Sequence, residues 1–184
     1  MTTLVSDETA LIRARAVERV LSDIDGVPII SEPVAIRRKS RDYFWYSPIL
    51  NEQLAGKVAD AVVAPRDEAD VIRIAGACAR HGVPLTPRGA GTGNYGQCVP
   101  MDGGVVMDMI GMTQIISHSP GVVRVEAGAR MVDIDSALSS SGWELRMHPS
   151  TKRSATIGGF VAGGSGGVGS INYGGLREPG NILG

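Results

Sequence analysis

An α+β fold in two lobes is what this sequence predicts, and three observations predict it. Residues 61–86 read as strand, helix, strand. Residues 104–147 read as a strand, a hairpin, a helix and a further strand, a smaller lobe of mixed sheet. Between and after these lie two glycine-rich segments, Pro87–Gln97 and Thr156–Gly167, which hold a large share of the 25 glycines in the 184-residue chain.

The elements follow in chain order. Leu11, Val17, Val20, Leu21 and Ile24 recur at helical spacing among charges, so residues 7–24 are expected to form a helix. Residues 26–53 carry RRKSRDYFWYSPIL and read as irregular. Arg37, Arg38, Lys39 and Arg41 are expected to form a solvated charged face. Ala61–Ala64 is a short apolar strand, ended by Pro65. Asp67 can cap the next helix, with Glu68 and Asp70 in its favoured first turn. Val71, Ile72, Ile74, Ala75, Cys78 and Ala79 are expected to form its buried stripe. Arg80 and His81 suit its last turn, and Gly82 is a stop signal, so His81 reads as a helix-end residue. Val83–Thr86 is the next strand, and a short βαβ of this kind is parallel and right-handed.

Residues 104–109, GVVMDM, read as a third strand. The segments 115–117 and 122–126 flank Ser119-Pro120-Gly121, which predicts a hairpin. A helix is expected over Met131–Ser139, stopped by Gly142, and a strand over Trp143–Met147.

Composition narrows the function. The formal net charge is −1, charged residues are 20% and aromatic residues 4%. No basic run exists to neutralise phosphates along a polymer, so nucleic acid is not expected as a partner. Cys78 and Cys98 lie far apart and form no zinc or disulfide pattern, which suits a cytoplasmic chain. The opening residues resemble neither a secretory signal nor a membrane span. Peripheral attachment to a membrane, or to a partner subunit, stays open.

Gly91–Gly96 spells G-x-G-x-x-G, the dinucleotide fingerprint. That fingerprint must open a helix. Here Pro100 and the pair Gly103-Gly104 follow, so no stable helix can form. No Gly-Lys-Ser/Thr closes the run, which excludes a Walker-type loop. If this loop binds phosphate, its own main-chain N–H groups must do so as an anion nest. Thr92 and Asn94 can add side-chain hydrogen bonds, and Arg88 can neutralise charge or brace the loop. In the second segment, Ile157 can anchor the core while Gly158 and Gly159 let backbone approach a flat ring or a ribose. Main-chain amides of both turns are expected to grip the ligand.

PRGAGTGNYGQ, then GGVVMDM, then PST…ATIGGFVAGGSGG…YGG resemble, in order and spacing, the flavin domain of the FAD-linked oxidases. This is the vanillyl-alcohol oxidase/p-cresol methylhydroxylase (VAO/PCMH) type of FAD-binding fold. The similar branch includes the glycolate oxidase D subunit and the D-lactate dehydrogenases. VADAVVAPRDEADVIRIAGACARHGVPLTPRG is similar to that family's opening βαβ. The resemblance covers roughly Tyr43 to Gly184. It implies a lead-in over residues 1–50, and over 51–184 the amino-terminal part of the two-lobed FAD-binding domain.

The resemblance also implies the site. Pro87, Arg88, Gly89, Ala90, Gly91, Thr92, Gly93, Asn94, Gly96 and Gln97 would wrap the FAD diphosphate. Pro149, Ser150, Thr156, Ile157, Gly158, Gly159, Ala162, Gly163, Gly164 and Gly167 would line the ribityl chain, the ring and the adenosine side. Ile171 and Gly174 would continue that wall. Some relatives tether FAD through a histidine where Thr92 stands, others through a cysteine where His148 stands. Non-covalent FAD is therefore expected, with His148 structural. The implied activity is oxidation of an alcohol carbon of a small-molecule substrate, a 2-hydroxy acid such as D-lactate or glycolate. The alternative is a flavin-binding module without turnover of its own. Relatives continue past Asn181–Gly184, read here as a beginning strand, into a cap domain that carries the proton-abstracting residue. No catalytic residue and no metal ligand is assigned.

Overall fold

A computed structural model describes residues 2–178 of the chain; the expected strand at 181–184 lies outside them. The chain divides into two compact units. The first takes in the residues up to Arg88 together with Gly93–Asp108, and the second takes Gly89–Thr92 and the residues from Met109 onward.

The first unit is built on a four-stranded sheet of order β1-β2-β4-β3. Its elements are α1 (Thr2–Asp23), β1 (Ile29–Ile30), α2 (Pro33–Lys39), α3 (Pro48–Leu54), β2 (Ala61–Val63), α4 (Glu68–His81), β3 (Leu85–Arg88) and β4 (Val105–Asp108). β2, β4 and β3 run parallel, and β1 adds an antiparallel edge. The predicted βαβ, β2-α4-β3, is present, but β4 inserts between its two strands. Parallel strands buried on both faces need continuous apolar runs. β2 and Val105–Met107 of β4 supply them, and every residue of both strands is buried.

α4 obeys its predicted signals. Asp67 Oδ1 accepts from the Asp70 amide at 2.8 Å. Such a cap is worth about 1 kcal/mol. Gly82 closes the helix at φ +64°. His81 sits at the helix end with Nε2 3.0 Å from Asp23 Oδ2. The predicted stripe needs correction. Asp70, Ile74, Ala77 and Cys78 are buried, whereas Ile72, Ala75 and Ala79 are exposed. The true face follows the i, i+4, i+7, i+8 spacing, and α4 packs on α1, where Val17 and Val20 are buried. Leu11, expected on the same stripe of α1, is exposed.

Residues 26–53 are not irregular. Ser and Glu caps start two short helices there, each with proline in the first turn. Glu32 accepts from the Val34 and Ala35 amides and opens α2. Ser47 accepts from Leu50 N and opens α3. Between them Phe44 is fully buried against Leu54 and Val99. The charge run also divides. Arg37, Arg38 and Arg41 are exposed as expected. Lys39 is not, because its Nζ reaches Asp108 Oδ2 at 2.5 Å, where Asp108 is only 3% exposed.

The second unit holds β5 (Ile115–Ser119), β6 (Val122–Val125), α5 (Met131–Ser139), α6 (Ile157–Ala162) and α7 (Ser170–Tyr173). β5 and β6 form the predicted antiparallel hairpin, and α5 has the predicted bounds. One core joins Met131, Met147, Ala155, Phe160 and Leu176. Another joins Ala129, Ile134 and Leu138 with Val123, Val125 and Ile157. Trp143–Met147 is not a strand. Asp135 Oδ1 takes the Leu145 amide at 2.7 Å, so a side chain satisfies what a ladder partner would have satisfied. Only an isolated bridge, His148 to Val168, follows it.

Candidate cofactor site

The first glycine segment leaves the end of β3. Arg88 is buried there and donates from Nη2 to Arg41 O at 3.1 Å, so it braces the chain beside β4, in register with Asp108. Pro87, next to it, is exposed.

Within the second unit, Gly89 lies against Thr156. A Cβ on Gly89 would collide with Thr156 Oγ1, so only glycine allows this approach. The start of the first segment and the start of the second are thereby neighbours. Gly91 takes φ +68°, the left-handed conformation that turns successive amides to one side.

Within the first unit, the other end of the loop is tied to the lead-in. Asp42 is 5% exposed. Its Oδ2 accepts from Gly96 N at 2.9 Å and Gln97 N at 3.1 Å, and its Oδ1 from Phe44 N at 2.8 Å. Tyr43 N donates to Gly93 O at 2.8 Å. Tyr95 N reaches Gln97 Oε1 at 3.3 Å. The amides of Ala90, Gly91, Thr92, Gly93 and Asn94 make no hydrogen bond among the described residues. Three of these donors, Ala90–Thr92, belong to the second unit and two, Gly93 and Asn94, to the first; no helix follows, as the sequence predicts. Burial pushes the Cys98 thiol up, although nearby Arg88 opposes that shift.

The second segment is different from its expectation. Thr156 caps α6, so Gly158 and Gly159 sit in a helical first turn. Its amides are already engaged. Ile157 N donates to Ala129 O at 2.9 Å, Gly158 N to Ala127 O at 2.9 Å and Phe160 N to Thr156 O at 3.0 Å. Gly159 N reaches Thr156 Oγ1 at 3.4 Å. Beyond the helix, Gly163 N donates to Gly159 O and Gly164 N to Val161 O. A grip by main-chain amides from Ile157 to Phe160 is therefore corrected: these atoms hold the protein together. The segment can line a ligand with its surface, since Gly159, Ala162, Gly163 and Gly164 are exposed.

The remaining predicted residues scatter within this unit. Pro149 accepts from Lys152 N at 3.1 Å in a turn that begins at Ser150. Gly167 abuts His148 O, and Gly174 caps α7. Ile171 is 98% exposed, so it packs against no wall in this unit. His148 is held by backbone bonds to Val168 and by its own Nδ1, 3.2 Å from Pro149 O. The sequence reading missed Asp42. Its only signal is Asp-x-Phe, an Asx turn, hidden beside the charge run.

Such a turn of open amides fits a diphosphate, and the comparisons name the ligand. The profile of the FAD binding domain family matches residues 59–179. The chain belongs to that family. Glycolate oxidase subunit GlcD of Bacillus subtilis is 36% identical over 121 residues, 65% of this chain and 26% of that protein. D-2-hydroxyglutarate dehydrogenase of Escherichia coli is 40% identical over 131 residues, 68% of this chain and 12% of that protein. The chain thus spans about a quarter or less of the length of these relatives. Among solved structures, alkyldihydroxyacetonephosphate synthase aligns with a TM-score of 0.70 at 19% identity, over 82% of this chain and 31% of that one. Carbohydrate oxidase from Microdochium nivale aligns at 0.68 and 20% identity, over 89% and 33%. The fold is the VAO/PCMH type, and the cofactor is FAD. Among the described residues, no cluster of His, Cys, Asp or Glu could hold a metal ion. No helix among them is long and apolar enough to cross a membrane.

Proposed function

We propose that this chain is the FAD-holding part of an oxidoreductase that oxidises the alcohol carbon of a 2-hydroxy acid. The observation that carries the reading is the run of unengaged amides from Ala90 to Asn94. N–H donors that the protein leaves unspent can stabilise a diphosphate without a helix. The substrate class is supported by the names of the relatives, a glycolate oxidase subunit and a D-2-hydroxyglutarate dehydrogenase.

FAD, once bound, supplies a two-electron acceptor for the alcohol carbon. The chain's own residues bind and orient. The amides of Ala90–Asn94 would hold the diphosphate. Gly89 lies against Thr156, and the exposed Gly159, Ala162, Gly163 and Gly164 would be free to line the cofactor. Thr92 stands where some relatives carry the tethering histidine and His148 where others carry the tethering cysteine, and His148 Nδ1 lies against Pro149 O, which supports FAD held without a covalent bond. A subunit partner for the protein is supported by the GlcD relative, itself a subunit of glycolate oxidase. Two free thiols, Cys78 and Cys98, support a cytoplasmic setting.

Purified protein is expected to show flavin absorption, and acid precipitation is expected to release all the flavin to the supernatant. Yellow colour left on the pellet would overturn the non-covalent reading. Bleaching by glycolate, D-lactate or D-2-hydroxyglutarate without oxygen is expected of the assembled enzyme. Flavin binding with no bleaching by any of them would leave a cofactor-holding module and overturn the substrate class.

A further inference from the structure

Gly93–Gln97, the second half of the diphosphate turn, is held by a residue outside the stretch that defines the family. The match begins at residue 59, and Asp42 precedes it. Yet Asp42 is 5% exposed and spends both carboxylate oxygens on three main-chain amides. Two of these, Gly96 and Gln97, belong to the glycine loop. The third, Phe44, belongs to a residue buried against Leu54 and Val99. Tyr43, next in chain, adds a main-chain bond to Gly93 O. The loop is pinned at Gly93 and at Gly96–Gln97, and the Gly93 and Asn94 amides between are left unengaged.

We propose that Asp42 is a positioning residue for the FAD diphosphate, acting through the loop rather than on the ligand. This rests on the reading of the loop as the diphosphate site. The chemistry favours a carboxylate. One oxygen can accept from two adjacent amides while the other accepts from the lead-in, which an amide side chain cannot match. Placing an anion near a bound diphosphate is unfavourable unless its charge is consumed, and three donated N–H groups consume it. The lead-in is therefore part of the cofactor site.

The test uses Asp42→Asn and Asp42→Ala, with FAD affinity and thiol labelling as readouts. Cys98 directly follows Gln97 and is partly buried, whereas Cys78 is 2% exposed in α4. Both variants are expected to lower FAD affinity at least about tenfold. Cys98 is expected to label faster than in the wild type, with Cys78 still protected. If Asp42→Ala loses Cys78 protection, Asp42→Asn, which keeps the shape, decides the matter. An affinity within about twofold of wild type overturns the proposal. Equal acceleration at both thiols in Asp42→Asn also overturns it, because Asp42 would then merely stabilise the unit. A wild-type protein that takes up no FAD overturns both this role and the FAD reading beneath it.

Discussion

The two glycine segments share a composition and use it in opposite ways. From Ala90 to Asn94 the amides are unengaged, and the loop is shaped by bonds at its margins, through Asp42 and Tyr43. From Ile157 to Phe160 every amide is engaged, and the glycines let one stretch of protein lie against another. Glycine removes a side chain; what then fills the space depends on the donors around it. In the second segment it is Ala127; in the first, on the proposed reading, it is the FAD diphosphate.

The contrast breaks most visibly at Gly158. A Cβ there would lie 2.7 Å from both Ala127 O and Ala127 Cβ. Backbone cannot swing aside as a flexible side chain can. Gly158→Ala is expected to destabilise the protein by about 3 kcal/mol, the upper range for overpacking, read from the midpoint of denaturant unfolding. A loss under about 0.5 kcal/mol, the scale of a neutral surface change, would show that the contact relaxes freely and that the second segment is as open as the first.

A smaller effect is expected at Thr156. Its Oγ1 is the cap of α6 and also the atom Gly89 abuts. Thr156→Val keeps the shape and removes the acceptor. It is expected to cost about 1 kcal/mol in thermal unfolding. FAD affinity should follow only as far as α6 frays.

Acid separates the units further. Asp70, 1% exposed, takes hydrogen bonds from the Arg66 side chain and backbone and from Arg73, and the Arg66 bonds above all hold its carboxyl well below the ordinary range. A depressed folded value stabilises the protein above the unfolded value of about 3.9. That contribution is lost as pH falls below that value toward the folded one. Asp70→Asn is expected to flatten the acid limb of the first unit's stability. An unchanged limb would mean that the arginines, both largely exposed, contribute nothing there.

Much of this was legible in the residues, for local reasons. Asp67, Gly82 and the Ser119-Pro120-Gly121 turn act on their immediate neighbours, so α4 and the hairpin were readable. The absence of a helix after Gly96 followed from Pro100 and two glycines. Features set by distant partners were not readable. β4 enters between β2 and β3 through pairing distant in sequence. The face of α4 was misassigned because Ile72 is apolar yet exposed. Asp42 and Lys39 escaped because a charge run is usually solvated, and only their partners, Gly96, Gln97 and Asp108, show otherwise. The open and engaged amides look identical in sequence, since both are glycine-rich.

The smallest expected effect sharpens the comparison most. If the first turn binds FAD through its main chain, the side chain of Asn94 is dispensable. Asn94 is exposed, and its amide, rather than its carboxamide, belongs to the unengaged run. Asn94→Ala removes a side-chain donor and acceptor but leaves the main-chain N–H in place. FAD affinity is expected to change by less than about threefold, measured by flavin fluorescence titration. Mutation of a side chain that did hold a phosphate oxygen would cost more, since hydrogen bonds to charged groups are worth about 1.5–3 kcal/mol. A loss beyond about tenfold would move the binding from backbone to side chain. The first segment would then differ from the second in its residues, and no longer in the use of its amides.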